Sequence, residues 1–132
     1  MVIKHSIVAK AKINLFLKVG NRLESGFHSI LTGIVPISLC DRIDIVERKK
    51  SENRYSIVYS PELKNHLQEA GLKNIFDKEL NSEDNILEKI IESFYSYFSI
   101  DSTFNDKIIL YKNIPLAAGL AGGSADAAAL LH

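Results

Sequence analysis

The chain of 132 residues is about the length of one domain, and its 46% hydrophobic and 24% charged residues are typical of a globular protein with a core. Sixteen basic residues balance sixteen acidic ones, which argues against a broad nucleic-acid surface or an anionic-membrane patch. A single cysteine, Cys40, excludes an internal disulfide, and no apolar run approaches the ~20 residues that span a bilayer. The amino terminus also lacks a secretory pattern, so we expect a cytoplasmic protein.

The first predicted element is a strand over residues 2 to 19, because polar and apolar side chains alternate from Lys10 onward. The apolar positions occupy one face of this strand. Lys12 and Asn14, two residues apart, share the opposite face. Residues 20 to 26 are rich in turn-forming types and predict a loop.

A second extended segment, residues 27 to 39, contains a glycine and a proline that limit its place in a sheet. Gly33 is expected at a β-bulge. Pro36 is expected near a sheet edge, because it has no N–H to donate. Residues 41 to 46 and 55 to 59 alternate in the same way and predict two further short strands, so the first half of the chain is β-rich.

The middle of the chain predicts two helices. Ser60 and Pro61 supply a cap and a first helical position for a short helix that Gly71 would end. Residues 85 to 98 form the clearest helix, since apolar residues recur there at three- and four-residue steps. Residues 82 to 84 supply its cap and an acidic first turn.

The end of the chain predicts a strand, a glycine-rich loop and a helix. Residues 106 to 112 alternate, and residues 114 to 129 place three glycines directly ahead of an alanine-rich run. Gly119, Gly122 and Gly123 can adopt positive φ, and backbone N–H groups beside a helix start form an anion site, for which a phosphate chain is the obvious ligand. The alternative is that the glycines only let the helix pack closely on a sheet. The spacing is neither that of the P-loop nor G-x-G-x-x-G.

Three separated motifs resemble one family. The Pro-x-x-x-Gly-Leu-x-Gly-Gly-Ser loop at 115 to 124 is similar to that of the GHMP small-molecule kinases. Ala-Lys-Ile-Asn-Leu-Phe-Leu at 11 to 17 and Ser-Gly-Phe-His at 25 to 28 resemble the branch of this family that phosphorylates 4-diphosphocytidyl-2-C-methyl-D-erythritol. The resemblance runs over most of the chain.

The resemblance implies a fold and a reaction. The order of elements by itself predicts α+β, and the family adds a mixed β-sheet with helices on one face, the ribosomal protein S5 domain 2-like fold, as a single domain over residues 1 to 132. The family's reaction transfers the γ-phosphate of ATP, with Mg²⁺, to the 2-hydroxyl of the erythritol moiety in non-mevalonate isoprenoid precursor synthesis.

The substrate side of the implied site contains four residues. Lys12 matches the catalytic lysine, whose ammonium would stabilise charge developing on the transferring phosphoryl group, and Asn14 could bond the polyol or phosphate. Phe27 stands where the family usually has a tyrosine that stacks on cytosine, so stacking is kept and the hydroxyl is lost; His28 would bond the base edge. A solvated strand lysine, and ordinary strand packing for Phe27 and His28, are the alternatives.

The nucleotide side is implied by the same resemblance. Loop amides would hold the α- and β-phosphates, and Ser124 could add its hydroxyl to a phosphate or to Mg²⁺. Ala117, Ala118 and Ala121 stand where the family often has glycine, so they are expected to keep negative φ while the essential turns fall on the three glycines. The full nucleotide-binding set is Asn85, Lys112, Pro115, Leu116, Ala117, Ala118, Gly119, Leu120, Ala121, Gly122, Gly123 and Ser124.

Three residues at the borders of this set have alternative roles. Asn85 matches a position near the adenine, or caps its helix. Lys112 matches a nucleotide-side lysine, or is a solvated charge at a strand end. Asp126 is expected in the first turn of the last helix, as a partner of the helix dipole rather than a catalytic base.

The family's catalytic aspartate follows the glycine-loop helix, and it has no counterpart before His132. We therefore expect the N-terminal portion of such a kinase, with the C-terminal half absent and negligible turnover by these residues alone. The alternatives are a non-catalytic nucleotide or cytidine-ligand module, a purely structural α+β fragment, and a GHMP kinase for another alcohol such as homoserine or mevalonate, against which Phe27 and His28 argue. Small molecules are the predicted partners, without nucleic acid or membrane and with no oligomeric state assigned.

Overall fold

The computed structural model describes residues 2–49, 52, 54–72, 86–100 and 106–131. Within these residues, strands and helices follow one another in a mixed order: β1 (Ile3–Arg22), β2 (His28–Val46), β3 (Tyr55–Tyr59), α1 (Pro61–Glu69), α2 (Ile86–Tyr97), β4 (Lys107–Lys112) and α3 (Gly122–Leu130).

The strands form one mixed sheet in the order β1-β2-β4-β3. The pairs β1–β2 and β2–β4 are antiparallel, whereas β3 and β4 run parallel. Leu87 and Ile91 of α2 pack against Ile43, Ile108 and Leu110 of the sheet, and α3 adds partly buried side chains to the same cluster. The predicted α+β class, with a mixed sheet and helices packed on it, is confirmed.

A long hairpin of β1 and β2 dominates the sheet. The two strands pair from Ile3 opposite Val46 to Arg22 opposite His28, but β2 pairs with β4 only from residue 42 onward. The prediction of separate strands at 27 to 39 and 41 to 46 was wrong, because β2 is continuous and begins after Phe27. Pro36 lies in the part of β2 that pairs with β1 alone, so its expected place near an edge is confirmed.

The predicted irregularity at Gly33 is confirmed, although the extra residue belongs to the other strand. Asn14 pairs with Ile34 and Phe16 pairs with Gly33, so Leu15 of β1 has no opposite residue. A Cβ on Gly33 would lie 2.8 Å from Cε1 of Phe16. A side chain at position 33 would therefore require the Phe16 ring, which covers the neighbouring strand, to move.

Local sequence signals set the helices. The Ser60 hydroxyl accepts a hydrogen bond from the amide of Leu63 at 3.2 Å, Pro61 is the first helical residue, and Gly71 follows the helix with φ +66°. The short helix is thus confirmed with its cap and its stop. Residues 82 to 84, the predicted cap of the second helix, lie outside the described residues.

The face of β4 that packs towards the helices is apolar except at Lys112, the last residue of the strand. In β4, Ile108 and Leu110 are buried on this face together with Lys112, in agreement with the predicted alternation. None of the helices in the described ranges is long and apolar enough to cross a membrane.

Candidate functional site

The glycine-rich loop between β4 and α3 turns at three positions with positive φ. These are Ala117 (φ 56°), Gly119 (φ 71°) and Ala121 (φ 58°). Of the three alanines expected to keep negative φ, only Ala118 does so. Of the three glycines expected to form the turns, only Gly119 has positive φ. Gly122 and Gly123 are the first residues of α3 and have helical backbone, so the turns precede them. An alanine in the left-handed region costs roughly 1–2 kcal/mol, and the surrounding contacts must offset that strain.

Gly122 allows α3 to begin directly against the end of β4. A Cβ at this position would lie 2.9 Å from Cγ2 of Ile114, and Ile114 is fully buried. Close helix-to-sheet packing, the alternative considered for the glycines, is therefore the role of Gly122. A Cβ added to Gly119 or Gly123 would meet no protein atom within 4 Å, so those two glycines border open space.

The loop encloses a cavity of about 370 Å³. Every residue from 115 to 124 lines it, so the structure brings the predicted loop set together around one concave surface. Ile86, the first residue of α2, also lines the cavity and was not predicted. Its neighbour Asn85 was predicted for the nucleotide site and lies outside the described residues. The predicted role of Asn85 could have led to Ile86, because the two residues are adjacent at the start of the helix.

The amino end of α3 faces this loop without a side-chain cap. Ala121 occupies the N-cap position and has no side-chain hydrogen bond, and Ser124 is exposed in the first turn. The first amides of a helix have no acceptor within the helix and lie at its positive end. Loop and helix together are therefore suited to bind an anion.

Among the described residues that line this cavity, Ser124 has the one side-chain oxygen that a magnesium ion could bind. No carboxylate belongs to the lining, and the described residues contain no group of three His, Cys, Asp or Glu side chains placed to hold a metal. Magnesium retains several waters and is commonly bound through one or two protein groups plus substrate phosphates. The residues therefore fit Mg²⁺ only as an ion that arrives with a phosphorylated ligand.

Lys12 lies on the loop side of the sheet. Its Nζ donates to the carbonyl oxygen of Gly119 at 2.7 Å and to Oδ1 of Asn14 at 2.5 Å. Its backbone amide donates to the carbonyl oxygen of Leu120 at 3.1 Å. The strand and the glycine-rich loop are thus joined at this residue, and the ammonium lies at the rim of the loop.

A short chain of hydrogen bonds fixes Asn14 beside the lysine. Its Nδ2 donates to Oγ1 of Thr32 at 2.8 Å, and the Thr32 hydroxyl donates to the carbonyl oxygen of Phe16 at 2.7 Å. The amide of Asn14 is therefore oriented with its oxygen towards Lys12. Thr32 was not among the predicted residues, since only the β1–β2 register places it here.

Phe27 and His28 lie at the far end of the hairpin. His28 pairs with Arg22, which is ten residues along β1 from Lys12. At about 3.3 Å per residue, a straight strand of this length would separate them by roughly 33 Å, and register shifts along the hairpin bend it. Phe27 is 76% exposed. The described contacts bring neither residue to the glycine-rich loop.

A buried network of charges lies beneath the loop. The ammonium of Lys112 donates to Oδ2 of Asp41 and, at 2.8 Å, to Oδ2 of Asp126; each of the three residues is at most 2% exposed. Oδ1 of Asp41 accepts the backbone amides of Asn113 at 2.5 Å and Ile114 at 2.8 Å. The alternative of a solvated Lys112 was therefore wrong.

The expected position of Asp126 was also wrong. Because α3 begins at Gly122, Asp126 is its fifth residue and lies beyond the first turn, where no acidic residue occurs. Burial raises the pKa of Asp126 to about 6, against the hydrogen bond and charge of Lys112, which lower it, while Asp41 adds to the increase. Its Oδ1 is buried with no hydrogen-bond partner among the described residues. That orphan oxygen is consistent with desolvation as the main cause.

Comparisons with known proteins agree on one family. The family model for the GHMP kinases N terminal domain matches residues 85–132. The 4-diphosphocytidyl-2-C-methyl-D-erythritol kinase of Anaeromyxobacter sp. (strain Fw109-5) is 34% identical over 126 residues, which are 95% of this chain and 35% of that protein. The kinase of the same name from Thermosipho melanesiensis is 39% identical over 121 residues, 92% of this chain and 36% of that protein.

A solved structure gives the same result in three dimensions. The crystal structure of a 4-(cytidine 5'-diphospho)-2C-methyl-D-erythritol kinase matches 96% of this chain and 38% of its own, with a TM-score of 0.61 and 26% sequence identity. The chain thus spans about a third of the length of the curated relatives it matches.

Proposed function

We propose that the chain belongs to the GHMP kinase family and that residues 1 to 132 form a single domain that holds ATP. The kinase would phosphorylate the 2-hydroxyl of 4-diphosphocytidyl-2-C-methyl-D-erythritol. ATP, Mg²⁺, a cytoplasmic location and a role in isoprenoid precursor synthesis belong to the same proposal. The observation that supports it best is the contact between the Lys12 ammonium and the glycine-rich loop.

The loop would bind the phosphate chain of ATP. Its cavity of about 370 Å³ is within the size range of ligand sites, and the uncapped start of α3 offers amides and a positive dipole end to the phosphates. Gly119 and Gly123 leave room for the ligand to approach the backbone. Ile86 would give the base an apolar wall. Mg²⁺, bound by phosphate oxygens and Ser124, would neutralise charge on the β- and γ-phosphates.

Lys12 would act on the transferring phosphoryl group. Its ammonium already lies 2.7 Å from a loop carbonyl, so a small rotation of a flexible side chain can bring it to a bound phosphate. A fixed positive charge stabilises the negative charge that develops in the transition state. Asn14, held by Thr32, would keep the lysine in place and offer its amide to the acceptor polyol.

Phe27 and His28 would bind the cytosine end of the acceptor. A stacked base needs only an aromatic plane, and such stacking contributes about 1–3 kcal/mol. The exposure of Phe27 leaves its ring accessible for this contact. The hairpin would have to bend for one acceptor molecule to reach from Phe27 to Lys12, because roughly 33 Å of straight strand is longer than the extended cytidylyl alcohol.

Nucleotide binding without turnover is the second candidate for these residues by themselves. Within the described residues Lys12 bonds an amide oxygen and a carbonyl oxygen but no carboxylate that could take the proton of an alcohol. Binding and turnover therefore need separate tests.

Calorimetric titration of the chain with ATP and Mg²⁺ tests the nucleotide site, and titration with the cytidylyl alcohol tests the hairpin site. We expect both ligands to bind. Absence of any ATP binding by the folded chain would refute the proposal. A coupled assay of ADP release should give turnover well below about 1 s⁻¹, the low end of ordinary enzymes.

Lys12→Met tests the proposed role of the ammonium in catalysis, measured in a full-length kinase of the proposed kind. We expect kcat to fall by orders of magnitude while the Kd for ATP changes little, because the loop amides supply most of the binding. Lys18→Met is the matched control, since Lys18 is an exposed lysine on the same strand. Equal activity of the two variants would contradict the catalytic role.

A further inference from the structure

The base of the glycine-rich loop is fixed by three buried charged residues that come from three different elements. Asp41 belongs to β2, Lys112 is the last residue of β4, and Asp126 lies in the second turn of α3. The ammonium of Lys112 is shared between the two carboxylates. The loop therefore begins and ends on the same network.

Asp41 sets the start of the loop. One of its oxygens accepts the amides of Asn113 and Ile114, the two residues that follow β4. These amides follow the last residue of β4, and a buried amide without a hydrogen-bond acceptor lowers the stability of the fold. A carboxylate that accepts both fixes the direction in which the chain leaves the sheet.

Lys112 and Asp126 set the end of the loop. Their hydrogen bond of 2.8 Å ties the second turn of α3 to the end of β4, and a Cβ on Gly122 would lie 3.4 Å from the same ammonium. These contacts hold the start of α3 close to the end of β4. The positions of the backbone amides in the first turn of α3 are therefore fixed relative to β4.

Stability alone does not account for this network. Replacing buried ion pairs by apolar residues of similar volume is often neutral or stabilising, because desolvation of the charges offsets their attraction. An apolar cluster would cover the same space but would not prescribe directions for two backbone amides and a helix. Charged hydrogen bonds do prescribe them.

We propose that Asp41, Lys112 and Asp126 are positioning residues that hold the glycine-rich loop in its nucleotide-binding shape from beneath, without touching the nucleotide. The inference rests on the proposed ATP site and reassigns Lys112 from a nucleotide contact to a support. Lys112 borders the cavity, yet 1% of its side chain is exposed and its Nζ is directed to the two carboxylates.

The test compares two network variants with two controls. Lys112→Met removes the ammonium and keeps the length of the side chain, and Asp126→Asn removes one charge and keeps an oxygen for the ammonium. Lys107→Met is the matched control, because Lys107 lies at the other end of β4 and pairs with Glu52 at 3.3 Å. Leu67→Ala in α1 controls for lost stability away from the loop.

Two quantities are measured on each folded chain: the Kd for ATP with Mg²⁺ by calorimetry, and amide hydrogen exchange at residues 114 to 121 and in β4. We expect Lys112→Met to weaken ATP binding by about tenfold or more and Asp126→Asn by at least about threefold. Exchange should quicken in the loop and stay unchanged at residues 108 to 110. Both controls should keep the Kd within about twofold of wild type.

Each outcome decides the inference. Wild-type affinity in a folded Lys112→Met or Asp126→Asn chain overturns it, and so does exchange that quickens equally in the loop and β4, which would indicate only a structural role. If Lys112→Met does not fold, Asp126→Asn decides alone. If the wild-type chain binds no ATP, the proposed function fails, and the exchange measurement still shows whether the network orders the loop.

Discussion

Replacing Gly122 by alanine should destabilise the protein even though alanine is the better helix former. The new Cβ would lie 2.9 Å from Cγ2 of Ile114 and 3.2 Å from its Cβ, and Ile114 is fully buried. Overpacking of this kind costs about 1–3 kcal/mol. The higher helix propensity of alanine returns at most about 1 kcal/mol. The middle of the overpacking range less this gain leaves an expected net loss of about 1 kcal/mol in the free energy of unfolding.

Gly123→Ala is the matched control, one residue further along the same helical turn. Its Cβ would meet no protein atom within 4 Å, so its stability should equal or slightly exceed that of wild type. Urea unfolding followed by circular dichroism measures both variants, and a lower midpoint with an unchanged slope identifies a change in stability. Equal midpoints for the two variants would refute the claim that Gly122 is required by packing on Ile114.

Three further predictions concern other parts of the molecule. Asp126→Asn should change how stability depends on pH, because the pKa of about 6 in the fold lies above the ordinary value of 3.8 for this carboxyl. Wild type should lose up to about 3 kcal/mol relative to the variant as pH rises from about 4 to 7, and a constant difference between their urea midpoints would contradict this. Ser60→Ala removes the acceptor of the Leu63 amide and should cost about 1 kcal/mol in urea unfolding, whereas Ser60→Asp should keep wild-type stability. Phe27→Ala should weaken cytidylyl-ligand binding by about 1–3 kcal/mol in calorimetry while Phe27→Tyr does not, and equal affinity of both would exclude stacking.

Elements with local signals were predictable from the sequence. The Ser-Pro start and glycine stop of α1 and the alternation of β4 require only neighbouring residues, and both are present as expected. The approach of Lys12 to the loop was expected only from the resemblance to the GHMP kinases. The division of β2 at Cys40 was wrong, since a strand can continue through a change in its pattern when a partner strand pairs with it.

The buried network had a signal that went unused. Asp41 falls on the same alternation as Ile43, and Lys112 falls on that of Leu110, so each places a charge on an apolar face. Two opposite charges on buried faces indicate an ion pair. Their actual pairing depends on the β2–β4 register, which the sequence does not contain.

The conformations of Ala117 and Ala121 could not be predicted from residue preference. Glycine is favoured at positive φ, and that rule placed the turns on Gly122 and Gly123. Packing of α3 on Ile114 instead fixes where the helix begins, and the turns must then fall before it. Tertiary contacts thus override the local preference at the two alanines.

The outer border of β1 has a consequence for handling the protein. This strand is 20 residues long, it pairs with β2 alone among the described strands, and it displays Leu15 and Leu17 to solvent. A long border strand with apolar side chains is a template on which further chains can stack. The exposed side chains of Lys10 and Lys18 place positive charges along this strand. The carbonyl oxygen of Leu120 accepts a hydrogen bond from one of its backbone amides, that of Lys12. Concentrated solutions should therefore precipitate sooner as salt screens those lysines.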